Sequence, residues 1–398
     1  MRDIELLIAE VLDDIVGLRH EIHENPELLY EESGTAERVL KHISPIEGLE
    51  IRTGVAETGI VVTLGGEKTG PCVALRADMD ALPIEETGNV LYKSKVPGKM
   101  HACGHDGHTS CLVGAVKVLS EIRDDLAGPV KFVFQPAEEG GAGGKRMCEE
   151  AVLENPKVDA IFGFHGWPAL VQGEIGIHEG AFLASSDTFD VTITGVGAHA
   201  AFPHLGVDPI VVASHAVTAI QSIVSRNTDP LQSAVVTVGE IKAGTTYNII
   251  PQTATLKGTI RALDQTVREA THERLKTVIE KTAEAFGASA EVVNLFGYPI
   301  TYNHANACDY ASKVVGDIAW AEGQDMLPVM GGEDFSYYSE RIPAMFLALG
   351  VRPPERETYP NLHQSDYDFA DGAVPMGIRL HVEIARRWVV IALVQPFG

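Results

Sequence analysis

Residues 99–108 of this chain bring together several side chains that can bind metal ions. The potential ligands are His101, Cys103, His105, Asp106 and His108. Imidazole, thiolate and carboxylate groups all bind zinc-like divalent ions, and Gly104 and Gly107 allow the backbone to turn tightly. The spacing differs from that of a closed structural zinc site, which pairs two Cys or Cys/His knuckles. We therefore predict an open, catalytic metal site with further ligands elsewhere, against the alternative of a polar loop with chance histidines.

Three further sets of polar residues come directly after predicted buried strands. They are Asp78 and Asp80 after residues 72–77, Glu138 and Glu139 after residues 129–134, and His165 after residues 158–164. In open α/β sheets the active site lies outside the carboxyl ends of the strands. Of two adjacent carboxylates, one can bind metal while the other accepts a proton from water. The alternatives are a solvated acidic turn for the glutamates and a core histidine for His165.

The spacing of apolar residues predicts strands alternating with helices in the first part of the chain. The predicted helices are 4–22, 33–43, 107–124 and 143–154, and the predicted strands are 59–64, 72–77, 129–134 and 158–164. The continuous apolar run at 72–77 is typical of a strand that is covered on both faces. This alternation predicts an α/β fold whose mostly parallel mixed sheet is flanked by helices.

A different order of elements begins near residue 185. Strand 187–194 is followed by helix 208–226, strands 233–241 and 252–262, helix 264–287 and strand 289–294. This β-α-β-β-α-β order is that of a ferredoxin-like unit. The α/β pattern resumes with helix 306–321, strand 344–349 and a C-terminal helix from about residue 371. The prediction is a discontinuous catalytic domain, residues 1–184 and 296–398, interrupted by an inserted domain, residues 185–295.

The overall composition indicates a globular protein that does not bind anionic polymers. The 398 residues are 45% hydrophobic, and 31 basic against 55 acidic residues give a net charge of −24. This charge opposes binding to nucleic acid and to anionic membranes, and the apolar runs are too short to span a bilayer. Five scattered cysteines and the absence of an apolar signal core favour reduced thiols and a cytoplasmic location.

Eight segments, in order along the chain, resemble those of the dinuclear metallohydrolases of the aminoacylase and glutamate-carboxypeptidase type. The most similar branch is the amidohydrolase branch, with hippurate hydrolase, indoleacetyl-amino acid hydrolases and N-acyl amino acid deacetylases. The segments are Arg19–Glu27, Leu75–Pro83, Met100–His108, Gln135–Gly140, Gly197–Ala200, Asn248–Pro251, Gly331–Phe335 and His363. The resemblance is specific for the family and uninformative about the exact substrate.

The resemblance implies two divalent metal ions per chain, manganese or zinc in the first place and cobalt or nickel as alternatives. The implied ligands are Cys103, His105, Glu139, His165 and His363. Cys103 would bridge the ions in place of the aspartate of related branches, and Asp80 would orient a ligand. Asp78 occupies the position of a histidine ligand in those branches. His101 and His108 match the motif without an assigned role.

The resemblance also implies hydrolysis of N-acetyl, N-benzoyl or indoleacetyl amino acids by metal-activated water. Glu138 is implied as the general base, which then protonates the leaving amine. From the inserted domain, His199 is implied as a donor to the oxyanion, and Asn248 and Arg261 as substrate contacts. Arg261 is chemically suited to bind a substrate carboxylate through two hydrogen bonds.

The inserted domain is expected to act as a lid and to join two chains. Its sheet leaves edge strands that need cover, twofold dimers are the commonest oligomers, and the resemblance also implies a dimer. His199 is far in sequence from every implied ligand, so it must reach the site by domain closure or from a partner chain. We predict a homodimer in which His199 completes the neighbouring site.

Two alternatives to an N-acyl amino acid hydrolase stay open at this point. One is a di- or aminopeptidase, or a carboxypeptidase, on the same scaffold. A charged amine anchor would favour a di- or aminopeptidase, and a neutral acyl pocket would favour the N-acyl amino acid hydrolase. The other is a non-catalytic protein that binds metal or a ligand. Glu138 argues against the second alternative, because a binding protein needs no general base.

Overall fold

The computed structural model describes residues 2–319 and 327–388, which form two compact units. The larger unit comprises Met1–Gly180, Tyr302–Leu327 and Asp334–Gly398, and the smaller unit comprises Ala181–Thr301 and Pro328–Glu333. The larger unit is therefore discontinuous in sequence. The last two residues of the helix predicted at 306–321 lie outside the described residues.

The described helices follow the predicted positions closely, apart from different ends for the third and fourth helices and a four-residue helix, the eighth along the chain, that was not predicted. They are α1 Ile4–Glu24, α2 Ser33–Ile43, α3 His105–Glu121, α4 Gly143–Glu149, α5 Pro209–Ser222, α6 Gln265–Ala285, α7 Ala305–Ile318, α8 Ser336–Ser339 and α9 Val374–Arg386. Helix α3 begins two residues before the predicted start, so His105 lies in its first turn. Helix α4 ends well before residue 154, because Ala151 has a positive φ of 61° and the buried Lys131 ammonium binds the carbonyl oxygens of Val152 and Glu154.

The described strands include one at an edge that the apolar pattern did not predict, β1. The strands are β1 Leu49–Val55, β2 Gly59–Leu64, β3 Cys72–Asp78, β4 Val130–Gln135, β5 Val158–Val171, β6 Ile175–Gly176, β7 Gly180–Leu183, β8 Ser186–Thr194, β9 Ala198–His199, β10 Ala234–Ala243, β11 Ile249–Ile250, β12 Thr253–Ala262, β13 Ser289–Tyr298, β14 Thr301–Asn303 and β15 Ala344–Arg352. Strand β1 carries Glu50 and Arg52 on a largely exposed ribbon, which hides its strand character in the sequence.

Seven strands of the larger unit form a mixed sheet in the order β1-β2-β4-β3-β5-β15-β6. The four central strands, β4, β3, β5 and β15, are parallel, and the outer strands pair antiparallel. Every residue of β2, β3 and β4 is buried, as expected for apolar strands that are covered by helices on both faces. The predicted α/β fold with a mixed, mostly parallel sheet flanked by helices is confirmed.

Strand β5 is longer than its predicted range of 158–164 and does not end before His165. It continues to Val171 because β15 pairs with it along most of its length, with Ala348 opposite His165. On the other side, Gly163 lies opposite Arg76 of β3. His165 follows Gly163 by two residues and Asp78 follows Arg76 by two, so His165 is level with Asp78 at the carboxyl end of β3. The prediction that β5 ends before His165 was wrong, but His165 does lie at the predicted edge of the sheet.

The smaller unit has its own sheet and its own core. Its sheet is antiparallel in the order β10-β12-β8-β13, and its helices α5 and α6 contribute buried residues to a core with Phe189, Val191 and Leu256. The chain order of these elements is β-α-β-β-α-β. The short strands β9 and β11 pair with each other, with His199 opposite Ile249.

No described helix is both long enough and apolar enough to cross a membrane.

Candidate metal centre

The five implied metal ligands come together in the larger unit. Two sets of ligand atoms each lie within 4.8 Å of one another, Cys103 with His105 and His165, and Cys103 with Glu139 and His363. The Cys103 sulfur lies 3.3 Å from His165 Nε2 and 3.4 Å from His363 Nε2. Since Cys103 belongs to both sets, its position between them is that of a shared ligand.

His105 is held with one ring nitrogen available. It occupies the first turn of α3, directly after Gly104, whose φ of 87° allows the chain to enter the helix. Its Nδ1 lies 2.8 Å from the backbone oxygen of Asp80, to which it donates, and its Nε2 is buried without a hydrogen-bond partner among the described residues. Burial disfavours the charged ring, but Asp78 and Asp80 raise the pKa of His105 to about 10. The negative environment that favours a proton on Nε2 would equally favour a metal ion in place of that proton.

His165 shows the same arrangement on β5. Its Nδ1 donates to the backbone oxygen of Gly166 at 2.8 Å, which leaves Nε2 facing Cys103. Burial and the neighbouring His108 hold the pKa of His165 well below its usual range. A neutral imidazole with a fixed tautomer is the form that binds a metal ion.

His108 and Asp78 support the ligands instead of joining them. Gly166 N–H donates to His108 Nε2 at 2.8 Å, and His108 Nδ1 therefore carries the proton that it donates to Asp78 Oδ1 at 2.7 Å. The other Asp78 oxygen accepts from Arg76 at 2.6 Å. Because both ring nitrogens are occupied, His108 has no lone pair for a metal ion. A chain of hydrogen bonds thus runs from Arg76 to the backbone N–H of Gly166, the residue whose carbonyl oxygen accepts from His165.

The glutamate pair is fixed through its backbone by Asp80. The N–H groups of Glu138 and Glu139 each donate to a different oxygen of the Asp80 carboxylate at 2.9 Å. Residues on both sides of the pair have positive φ, 55° at Ala137 and 100° at Gly140. Asp80 was predicted to orient a ligand, and its carboxylate contacts the backbone of both glutamates.

The two glutamate side chains have different surroundings. Glu139 Oε1 lies 3.2 Å from His363 Nε2, whereas Glu138 Oε1 accepts from the backbone N–H of Asp334 at 3.3 Å. Both carboxylates lie within 4.8 Å of the His105 ligand atom. Glu139 therefore belongs with the ligands, and Glu138 is next to them with a separate hydrogen-bond partner.

His363 is the most exposed of the implied ligands, with 53% of its side chain accessible. Its φ is 64°, and its backbone N–H donates to the carbonyl of Ala102 at 2.8 Å. This bond ties the segment around His363 directly to the segment that contains Cys103. A positive φ in a non-glycine residue persists only where surrounding contacts hold it.

The donor set fits divalent metal ions. Thiolate, imidazole and carboxylate together suit zinc, manganese, cobalt or nickel. His105 Nε2 is a buried atom without a hydrogen-bond partner among the described residues, and such an atom is costly unless something binds it. The site therefore has the donor chemistry of a metal centre and a buried ligand atom that a metal ion would satisfy.

The implied substrate contacts lie in the smaller unit. His199 on β9 and Asn248 beside β11 are both exposed, and Ala200 N–H donates to the Asn248 carbonyl at 3.0 Å. Arg261 on β12 is partly buried and forms no ion pair or hydrogen bond among the described residues. Burial lowers its pKa.

Sequence reasoning missed Glu32 and the contacts of Asp334, which hold the side chains of the candidate metal centre in place. Glu32 is buried, and its Oε1 accepts from Ala137 N–H at 2.8 Å, immediately before the glutamate pair. Asp334 accepts from Arg76, Gln135 and the backbone of Gly144. No local pattern identifies these contacts, because each joins residues that are far apart in the sequence.

Comparisons with known proteins confirm the resemblance. The profile described as Peptidase family M20/M25/M40 matches residues 74–387. The IAA-amino acid hydrolase ILR1-like 2 of Arabidopsis thaliana is 43% identical over 387 residues, 96% of this chain and 86% of that protein. The N-acetyl-L-cysteine deacetylase of Bacillus subtilis (strain 168) is 43% identical over 337 residues, 85% of this chain and 80% of that protein. The crystal structure of the Bacillus subtilis YXEP protein, described as a dinuclear metal binding peptidase from the M20 family, is 33% identical with a TM-score of 0.82 and covers 95% of this chain and 98% of that chain.

Proposed function

This chain belongs to peptidase family M20/M25/M40 and is a hydrolase of that family, and we propose that it cleaves the amide bond of N-acyl amino acids. The products are a carboxylic acid and a free amino acid. The main support for the proposal is that Cys103 lies within 4.8 Å of two pairs of potential ligands, and that Glu138 lies beside them. Two of the similar proteins are named as hydrolases of acylated amino acids.

Two divalent ions are proposed at this site. Cys103, His105 and His165 would hold one ion, and Cys103, Glu139 and His363 the other. When bound, such ions lower the pKa of water and polarise the amide carbonyl. The donor set leaves manganese, zinc, cobalt and nickel as candidates.

Glu138 is proposed as the general base and acid. It accepts a proton from water as the oxygen attacks the amide carbon, and it returns the proton to the nitrogen as the carbon–nitrogen bond breaks. Asp80 fixes the backbone of Glu138, and the Asp334 N–H contacts its carboxylate. These contacts keep the base beside the ligands but separate from them.

Three residues of the smaller unit are proposed to bind the substrate. His199 would donate to the oxygen that becomes negative in the transition state, and Asn248 and Arg261 would contact the amino acid part. The support for Arg261 is its charge without an ion-pair partner in the described residues. A substrate carboxylate would supply that partner through paired hydrogen bonds.

We also propose that the smaller unit is a lid and forms a homodimer in which His199 completes the partner's site. Exposed apolar side chains near β9 and β11 support this, with Phe202, Leu205, Tyr247 and Ile249 all accessible.

The proposed homodimer is tested with a mixture of His199→Ala and Glu138→Gln proteins, which are dissociated and then reassociated. Heterodimers should regain about half of the wild-type activity, because one site carries both changes and the other carries neither. Heterodimers without recovery, or a strictly monomeric protein by light scattering, would contradict the proposal.

A panel of substrates tests the proposed reaction against its alternatives. The metal-loaded protein is assayed on N-acetyl, N-benzoyl and indoleacetyl amino acids, with unblocked dipeptides alongside. Preference for acylated substrates supports the proposal. Preference for dipeptides would support the peptidase alternative, which the description of the YXEP protein also favours. Metal binding without hydrolysis of any compound would indicate a binding protein.

A further inference from the structure

A buried arginine of α1, Arg19, lies among acidic residues from two distant parts of the larger unit. Its Nη1 donates to Asp368 Oδ1 and to the Phe369 carbonyl, both at 2.7 Å, and lies 3.5 Å from Asp106 Oδ2. Its Nε lies 2.9 Å from Asp371 Oδ1. The Arg19 and Asp106 side chains have no accessible surface. Buried charges of this kind persist because they are paired.

These acidic residues are neighbours of implied metal ligands. Asp106 directly follows His105, and Asp368 lies five residues after His363. Arg19 thus contacts both the segment that supplies the first ion's ligands and the segment that supplies His363. In the described structure, one guanidinium joins the two halves of the candidate centre.

The segment with His363 depends on such contacts for its position. Residues 353–370 contain no helix or strand, although they are described throughout. Besides the bond from His363 to Ala102, the segment receives one from Thr87 N–H to the Ser365 carbonyl at 2.7 Å. Thr87 is exposed, whereas the Arg19 side chain is fully buried and supplements the buried side chains of Tyr367 and Phe369 as an anchor of this segment.

Two more side chains complete the Arg19 cluster. Tyr92 donates from its hydroxyl to Asp368 Oδ2 at 2.9 Å, and its ring lies 4.2 Å from the Arg19 guanidinium. His23, one turn after Arg19, lies 2.8 Å from Asp106 Oδ2 through its Nδ1. The cluster accounts for the Arg19–His23 part of the motif, which the proposed reaction leaves without a task.

We propose that Arg19 is a positioning residue for the metal ion held by Glu139 and His363. By binding Asp368 while it contacts Asp106, it sets the distance of His363 from the ligands on α3. This inference rests on the proposed dinuclear site. It assigns no contact with substrate or metal to Arg19 itself.

The geometry requires an arginine rather than any cation. The guanidinium presents nitrogens on separate branches, so Nη1 reaches Asp368 while Nε faces Asp371. A lysine has one ammonium and cannot serve both sides at once. Arg19→Lys therefore keeps the charge, but its single ammonium cannot approach Asp368 and Asp106, as Nη1 does, and Asp371 at the same time.

Metal titration of the whole protein tests the proposal without reference to activity. Cobalt(II) is added to metal-free protein, occupancy is measured by calorimetry, and the thiolate-to-cobalt absorption reports Cys103. Wild type should bind two ions. In Arg19→Lys one ion should bind as in wild type, and the other should weaken roughly 10–100-fold, the usual scale for residues that orient ligands.

Arg268→Lys in the smaller unit is the matched control. Arg268 is also buried, and it binds Asp187 through Nε and Nη2 at 2.8 and 2.6 Å, but no implied ligand adjoins it. The Arg268→Lys protein should unfold more easily than wild type and bind both ions with wild-type affinity.

Tyr92→Phe is a second test variant. It keeps the ring over Arg19 and loses only the hydrogen bond to Asp368, so it should weaken the binding of the same ion several-fold even if Arg19→Lys fails to fold.

The outcomes separate this inference from the proposed function. Two ions of wild-type affinity in both Arg19→Lys and Tyr92→Phe would overturn the inference alone. Equal weakening of both ions, or equal weakening in Arg268→Lys, would also overturn it, because a general loss of stability would then explain the result. Fewer than two ions in wild type would overturn the dinuclear site and the inference together.

Discussion

The proposed metal ligands and the proposed substrate contacts differ in how firmly the fold holds them. In the larger unit, His105 and His165 each have Nδ1 bonded to a backbone carbonyl, and Asp80 fixes both glutamates. In the smaller unit, His199 and Asn248 are exposed, and Arg261 has no ion-pair partner in the described residues. Metal ions need ligands in fixed positions, whereas groups that meet a substrate must be accessible to it. Four predictions test this division, starting with the largest effect.

Removal of the shared ligand should eliminate the centre. Cys103→Ala should lower metal occupancy below two ions per chain and abolish hydrolysis, because Cys103 is close to both groups of ligands. Metal analysis after reconstitution gives the occupancy. Cys111→Ala is the matched control, since this cysteine is equally buried in α3 but bonds to a backbone carbonyl. Full occupancy in Cys103→Ala would refute the bridging role.

Replacement of the proposed base should separate catalysis from metal binding. Glu138→Gln should keep both ions and the fold, while kcat falls by roughly 10²–10⁴, the usual contribution of general acid–base catalysis. Glu139→Gln should instead lose metal. Steady-state kinetics on the metal-loaded Glu138→Gln protein measures the effect. A kcat close to that of wild type would show that another residue is the base.

A change in the smaller unit should affect substrate binding and leave the metal centre intact. Arg261→Gln should raise KM by roughly tenfold to a hundredfold, because a hydrogen bond to a charged group contributes about 1.5–3 kcal/mol. Metal occupancy should not change. Acyl amino acid carboxamides, which lack the carboxylate, serve as the control substrates and should show no such increase. An equal effect on both kinds of substrate would rule out recognition of the carboxylate.

The smallest effect concerns stability in acid. Burial alone would raise the pKa of Asp187, but the hydrogen bonds and charges of Arg268 and His272 outweigh burial. The pKa of Asp187 is therefore lowered from 3.8 to about 2. The carboxylate therefore contributes stability above pH 4, and this contribution is lost as the pH falls toward 2. The loss should be about 2 kcal/mol.

Hydrogen exchange of β8 and α6 between pH 2 and 5 measures this acid sensitivity. Asp187→Asn should remove most of the pH dependence in that range. An unchanged pH dependence in Asp187→Asn would assign the acid sensitivity to other carboxylates.

Local sequence patterns were enough to propose candidate ligands but not to predict the contacts around them. Cys103 and His105 lie in one short motif, and Glu138 and Glu139 follow a continuous apolar strand, so local pattern sufficed to propose them. His165 was proposed from a strand end that does not exist, because only the pairing of β5 with β15 shows how far the strand continues. The edge of the sheet was nevertheless predicted correctly, since parallel strands bring their carboxyl ends together.

Long-range contacts account for what the sequence could not predict. Arg19 binds Asp368 across 349 positions, and His108 binds the peptide of Gly166 across 58. Neither periodicity nor residue type identifies such partners. The smaller unit was easier to predict, because its β-α-β-β-α-β order follows from local patterns alone.

The bonds from one Asp80 carboxylate to two successive N–H groups make Glu138 and Glu139 interdependent. A displacement of the backbone that moves Glu139, the proposed ligand, also moves Glu138, the proposed base, so changes at Asp80 should affect metal affinity and proton transfer together. Substitutions at Asp80 and at either glutamate should consequently be non-additive. A change of backbone position that affects one property alone is therefore expected from the His363 side, where the Asp80 carboxylate makes no hydrogen bond among the described residues.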